Sequence, residues 1–147
     1  MRTPSTTLVV DAAILVAAAR GRNSGPMILV AGAAVRVTTD RAVHEARHRI
    51  MLGMRRPELV EILDALVTQM TVVPVAALAP YIYDGETVLR DAVAARNGST
   101  RDAHVLALAW SAEADIWTLD RDFAGTGVAA WSTPNLLRGL LEPARAV

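Results

Sequence analysis

The feature that most constrains the fold is a regular alternation of short, β-branched apolar runs with segments that favour helix. Leu8–Val10 is such a run, and the alanine-rich segment Ala12–Arg20 that follows it has a high helix propensity. The other predicted strands are Ala34–Val37, Thr71–Val75, Ile116–Thr118 and Val128–Trp131. Strands that alternate with helices form parallel sheets covered on both faces. The sequence therefore predicts an α/β fold, in which about four to five strands form a parallel twisted sheet flanked by helices on both faces.

The segments between these runs carry helix signals. Thr38 and Thr39 end the second strand and cap a helix that carries Glu45. Pro57 opens the clearest helix, in which apolar residues recur at three- and four-residue steps. The other predicted helices begin after Ser24, span Asp84–Arg96 up to Asn97-Gly98, carry Asp102 behind a Ser99 or Thr100 cap, and close the chain over Pro134–Leu141.

Chain length and hydropathy predict one domain. A chain of 147 residues is of the usual size for a single domain, and we expect its core to extend over about residues 7–141. Leu8–Ala19 follows Met1-Arg2 and is apolar like a signal peptide, but Asp11 in its middle argues against secretion. No uninterrupted apolar run reaches the roughly 18 residues that a membrane span needs. We therefore expect a soluble, cytoplasmic protein with no membrane partner.

The charged and sulfur-containing residues exclude several function classes. Without cysteine, disulfides and thiolate chemistry are absent. All 15 basic residues are arginine, and 15 Asp and Glu balance them, so no broad positive field attracts nucleic acid. Contacts to RNA must then be local, through a few arginines. The lack of lysine also argues against phosphate-binding loops, receiver domains and haloacid-dehalogenase-type phosphatases, which use one.

Acidic residues occupy the junctions between predicted strands and helices. Asp11 follows the first strand, Glu45 and Asp102 lie near helix starts, and Asp120 and Asp122 follow the strand ending at Thr118. In an open α/β sheet these junctions line one crevice. Crowded carboxylates need cations, and hard oxygen ligands suit Mg²⁺ or Mn²⁺. The pattern indicates metal-dependent displacement at a phosphodiester.

The local patterns around these acids resemble the PIN-domain nuclease family. They are Val-Val-Asp-Ala-Ala-Ile-Leu (9–15), two threonines followed six residues later by Glu45, Arg-Asp-Ala-His-Val-Leu-Ala-Leu-Ala (101–109) and Thr-Leu-Asp-Arg-Asp-Phe (118–123). The resemblance extends from about residue 8 to the C-terminal helix. It implies a PIN-like domain acting as an endoribonuclease, in which Asp11, Glu45, Asp102 and Asp120 are catalytic and hold one or two Mg²⁺ or Mn²⁺ ions.

The same resemblance implies supporting roles and partners. Asp122 would assist metal binding directly or through water, and the Thr118 hydroxyl would position the carboxylates. The family usually carries Asn or Ser two positions after its first aspartate, where this chain has Ala13, so a hydrogen bond around the site is predicted to be missing. Small bacterial members often serve as the toxin of a VapBC-type pair, which implies a small antitoxin partner and a homodimer.

Five arginines near the predicted crevice are candidates for binding RNA phosphates, although each is also a candidate for a solvated charge or an ion pair. They are Arg20, Arg22, Arg47, Arg101 and Arg121. His104 lies two residues after Asp102 and is predicted to be packed or solvated, outside the site.

A rival motif overlaps the acidic pattern. Residues 44–48 read His44-Glu45-Ala46-Arg47-His48, the spacing that places two imidazoles on one helix face to bind zinc. A zinc peptidase needs a third ligand, yet Met51 and Met54 stand where the metzincin glycine and third histidine belong, which leaves Glu61 or Asp64. A zinc metallopeptidase is therefore the least favoured alternative. The other alternative is an interaction module that keeps the PIN fold without useful catalysis, and metal affinity distinguishes it from the nuclease.

Overall fold

The computed structural model of the protein describes residues 2–22, 24–91, 101–119, 123 and 125–141. Strands and helices alternate along these ranges, as the sequence predicts. The strands are β1 (Thr7–Val10), β2 (Val35–Thr39), β3 (Thr71–Val73), β4 (Asp115–Trp117) and β5 (Ala130–Trp131). The α-helices are α1 (Ala12–Ala19), α2 (Ser24–Ala33), α3 (Asp40–His48), α4 (Leu59–Val67), α5 (Ala79–Asp91), α6 (Ala103–Ala112) and α7 (Thr133–Leu141). A π-helical turn, Arg49–Gly53, extends α3, and a 3-10 turn, Val75–Leu78, precedes α5.

The five strands form one sheet in the order β3-β2-β1-β4-β5, and every neighbouring pair is parallel. The central strand is β1, where Val9 pairs with Val37 on one side and with Ile116 on the other. The predicted parallel α/β architecture is thus confirmed. Because carboxyl ends of parallel strands share one edge, the residues that follow β1, β2 and β4 lie side by side.

Alternating residues of the central strands build two hydrophobic layers. Leu8, Val10 and Trp117 belong to a cluster that includes residues of α1, α3 and α4. Val9 and Ile116 belong to the cluster on the opposite face, where α5 and α6 pack. Successive strand residues point to opposite faces, which explains the division. Both faces of the sheet are therefore covered, and the site at its carboxyl edge rests on two packed layers.

Several element boundaries differ from the sequence-based expectation. The strand predicted over Thr71–Val75 ends at Val73, because Pro74 has no amide to donate and the chain turns into a 3-10 helix. It is an edge strand, as predicted from that proline. The helix predicted from Asp84 begins at Ala79, with Pro80 in its first turn, where a missing amide costs little. The last strand is shorter than predicted and comprises Ala130 and Trp131.

Asp102 is another correction, since it precedes the helix instead of lying inside it. Its backbone is non-helical, and its carbonyl accepts the Val105 amide at 3.0 Å, so α6 begins at Ala103. The predicted stop and caps over residues 97–100 lie outside the described residues. Within the described part of the chain, no helix is long and apolar enough to cross a membrane.

Candidate metal centre

Asp11 stands at the carboxyl end of the central strand and is fixed from two directions. Its backbone amide donates to the carbonyl of Trp117 at 3.4 Å, which continues the pairing of β1 with β4. Its Oδ1 accepts the amide of Ile14 at 3.1 Å and so caps α1. Its Oδ2 accepts the hydroxyl of Thr118, the residue after β4. Asp11 is 6% exposed, and it lines a small cavity.

Two further carboxylates reach this space from helices. Glu45 lies on α3, whose start is capped by Thr39, as predicted: the Thr39 hydroxyl oxygen accepts the Ala42 amide at 3.0 Å. Asp102 occupies the cap position of α6. Glu45 accepts a hydrogen bond from Arg49 at 3.0 Å, one turn further along the chain. That guanidinium offsets part of the negative charge at the outer side of the cluster.

His104 joins these carboxylates. One ligand atom each of Glu45, Asp102 and His104 lies within 4.8 Å of the others, and no other group of three such side chains occurs among the described residues. The same three residues and Asp11 line a cavity of about 10 Å³, room for about one water molecule or metal ion. Ala13 also lines it, at the position where a polar side chain was predicted to be missing. Oxygen and imidazole donors around such a space suit a divalent ion.

His104 is held as a neutral, buried side chain. It is 1% exposed, and its Nδ1 lies 2.7 Å from the Thr39 hydroxyl oxygen. Burial, with a smaller effect of Arg41, lowers the pKa of His104 to about 4, although Asp40 acts in the opposite direction. The ring is therefore uncharged at neutral pH. Sequence reasoning left His104 outside the site, but one signal was there: it is the only polar residue in the run 103–109, and a polar side chain in a buried run needs a partner.

A larger cavity of about 300 Å³ adjoins the cluster. It is lined by Arg41, Glu45, Arg101 and His104. Two guanidiniums beside a carboxylate-rich centre are suited to holding a phosphate while the centre acts on it. Arg101 was among the predicted phosphate-binding residues, whereas Arg41 was not. Arg49, which lines the smaller cavity, was not among them either.

The other predicted arginines lie elsewhere or outside the description. Arg20 is the C-terminal cap of α1 and Asp11 its N-terminal cap, so Arg20 lies about 13 Å along the helix from Asp11. Arg22, two residues after Arg20, is exposed. Arg47 pairs with Asp64 at 2.6 Å on the surface. Asp120, Arg121 and Asp122 lie outside the described residues, so the structure places Asp11, Glu45 and Asp102 together and does not test the rest of the predicted acidic set.

Neither histidine of the zinc motif lines this centre. The rings of His44 and His48 are 6.5 Å apart, and both side chains are exposed. Of their candidate third ligands, Asp64 is engaged by Arg47, and no described acidic residue completes a three-residue group with the pair. Around the helix axis Glu45 is turned by about 100° from His44 and by about 60° from His48, and it is half-buried where both histidines are exposed. The arrangement gives no support to a zinc peptidase.

Comparison with known proteins agrees with this geometry. A family model described as a PIN domain matches residues 9–140. No curated protein matches the chain.

Proposed function

The chain belongs to the PIN-domain family, and from this premise we propose that it is a Mg²⁺- or Mn²⁺-dependent endoribonuclease. PIN domains are generally metal-dependent nucleases. The observation that carries the proposal is the convergence of Asp11, Glu45, Asp102 and His104 around one small cavity. Carboxylates placed this close repel one another unless a cation lies between them. A divalent ion bound there would supply a Lewis acid that activates water and neutralises charge on the scissile phosphate.

The protein's own residues have distinct tasks in this reaction. Asp11, Glu45 and Asp102 would hold the metal, with Asp120 and Asp122 proposed as further ligands. Thr118 orients Asp11 by donating to its Oδ2, so one carboxylate oxygen keeps a fixed direction. No side-chain nucleophile is required, because water would attack the phosphorus while the P–O bond to the leaving ribose oxygen breaks and that oxygen takes up a proton.

The substrate phosphates would lie against the adjoining cavity. Arg41 and Arg101 line that cavity together with Glu45, which belongs to both spaces. If these guanidiniums hold one phosphodiester of an RNA strand, the next phosphodiester along the strand would lie at the metal centre. The protein has no broad positive surface charge, so this local contact would supply the attraction for RNA.

The test is cleavage of single-stranded and hairpin-loop RNA in Mg²⁺ or Mn²⁺, with EDTA as the blank. Asp11→Asn and Asp102→Asn are expected to lower the rate by more than about a hundredfold, since each removes a charged group acting on the transition state. Asp64→Asn is the matched control, because Asp64 pairs with Arg47 on the surface, and it should cleave like the wild type. Equal cleavage by the wild type and both site variants would identify a contaminating nuclease and overturn the proposal.

We further propose that the protein acts in the cytoplasm as the toxin of a VapBC-type pair and forms a homodimer. The family resemblance motivates this, and the surface of α2 is compatible with a protein partner. Residues 24–33 carry no charge, while Ile28 is 74% and Leu29 48% exposed. Expression of the wild type alone should arrest growth, Asp11→Asn should not, and co-expression of a small protein encoded just upstream should restore growth. Normal growth with soluble wild-type protein would refute the toxin role.

A further inference from the structure

The cluster differs from an all-oxygen magnesium site in one respect, because His104 contributes a nitrogen. This side chain lies in the first turn of α6, two residues after Asp102, and is 1% exposed. Its ligand atom lies within 4.8 Å of the oxygens offered by Glu45 and Asp102. Two ligands on opposite sides of one ion are about 4.2 Å apart, because each bond is about 2.1 Å. Three ligands spread evenly around one ion lie about 3.6 Å apart, so separations of up to 4.8 Å would have to close by at most about 1.2 Å to bring all three groups onto a single ion.

The contact between His104 and Thr39 permits the hydrogen bonds of a metal-bound histidine. Nδ1 lies 2.7 Å from the Thr39 hydroxyl oxygen, and that oxygen also accepts the Ala42 amide. A hydroxyl oxygen has two lone pairs, so it can accept both Nδ1–H and the amide. In the tautomer with the proton on Nδ1, the Nε2 lone pair is left for an ion. Metal-bound imidazoles in proteins commonly use their second nitrogen in this way, which fixes the ring orientation.

We propose that His104 is a direct metal ligand and that it makes the centre select transition-metal ions, Mn²⁺ over Mg²⁺. This inference rests on the proposed function, and it specifies the ion. Mg²⁺ prefers oxygen ligands and dehydrates reluctantly, whereas imidazole favours first-row transition ions. Among the divalent first-row transition ions, Mn²⁺ usually binds a given site most weakly. The preference for Mn²⁺ over Mg²⁺ is therefore a lower limit for the preference that the later transition ions should show over Mg²⁺.

The test is pulsed electron paramagnetic resonance of Mn²⁺ bound to the full chain, together with Mn²⁺ binding in competition with Mg²⁺. The wild-type spectrum should show coupling to one directly bound ¹⁴N, and Mn²⁺ should bind at least about tenfold more tightly than Mg²⁺. His104→Leu should abolish the coupling and weaken Mn²⁺ binding at least about tenfold, with Mg²⁺ affinity changed less than about threefold. His48→Leu, which removes an exposed imidazole of α3, should change none of these values.

Two results would overturn the inference: a wild-type spectrum without nitrogen coupling, or equal losses of Mn²⁺ and Mg²⁺ affinity in His104→Leu. The wild-type spectrum needs no variant, so the test holds even if His104→Leu folds poorly. The metal measurements are also independent of RNA. Nitrogen-bound Mn²⁺ without RNA cleavage would refute the proposed nuclease function alone, whereas cleavage without nitrogen coupling would refute the ligand role of His104 alone.

Discussion

Asp11 has two roles that different substitutions should separate: it caps a helix, and it is a proposed metal ligand. Its Oδ1 accepts the amide of Ile14, and its Oδ2 accepts the hydroxyl of Thr118. In Asp11→Asn the amide oxygen can keep the cap, and the amide nitrogen can donate to the Thr118 oxygen. Asp11→Ala removes both interactions. The two variants should therefore be equally inactive but differ in stability.

The expected difference follows from the buried contacts. Loss of a helix cap costs about 1 kcal/mol. Loss of the carboxylate as acceptor for Thr118, which is 2% exposed, costs about 1 to 3 kcal/mol. Removing one of several crowded negative charges offsets part of this in the metal-free protein. We expect Asp11→Ala to lower the free energy of unfolding by about 1 to 3 kcal/mol, and Asp11→Asn to change it by less than about 1 kcal/mol or to raise it.

Urea unfolding in EDTA measures these values, and the same titration with Mn²⁺ measures the contribution of the metal. An ion present at a hundred times its dissociation constant stabilises the wild type by about 2.7 kcal/mol, and Asp11→Asn should gain less. Asp64→Asn, a surface aspartate paired with Arg47, is the control for removal of a charge. Equal destabilisation by Asn and Ala would show that the charge of Asp11, not its cap, supports the fold. Full RNase activity in Asp11→Asn would remove this residue from the metal centre.

Two more predictions concern the histidines. Replacing His44 and His48 together by alanine should leave the rate of metal-dependent RNA cleavage within about tenfold of the wild type, whereas Glu45→Gln should lower that rate far more. Loss of cleavage in the double variant, together with zinc bound to the purified wild type, would favour the zinc-site alternative. Because burial holds the pKa of His104 near 4, below its ordinary 6.5, the unfolded chain binds the extra proton first as pH falls. Metal-free stability should thus drop by about 2 to 3 kcal/mol between pH 7 and 4.5 through this group, in urea unfolding. His104→Leu should show a drop smaller by that amount, and identical pH dependence of both proteins would contradict the buried neutral ring.

The alternation of strands and helices was predictable because it rests on local patterns. The β-branched run before Asp11, the alanine-rich helix after it and the Thr39 cap are each determined within a few residues, and all three occur in the structure. Element ends were less predictable. Asp102 precedes its helix, and α5 starts five residues before the predicted Asp84, because packing between α5 and α6 sets these boundaries.

The site was predictable to the extent that its residues follow strands. Asp11 and Thr118 each come directly after a strand, and their contact crosses neighbouring strands of the sheet. The part played by His104 depends instead on Thr39, 65 positions earlier in the chain. No local pattern contains that pairing, because it exists only after β2 and α6 are brought together. Arg41 was missed for the same reason, since it faces the cavity from a helix that the sequence marks only as charged.

Three buried threonines at the ends of the central strands connect the fold to the proposed chemistry. Thr38 donates to the carbonyl of Val10 at 2.7 Å, Thr39 contacts His104, and Thr118 donates to Asp11. A β-branched side chain favours strand and has a restricted χ1 angle, so the same residue type extends the sheet and aims a hydroxyl. The strand-end residues Thr39 and Thr118 therefore fix the side chains of His104 and Asp11, which reduces the ordering that the proposed metal binding would require.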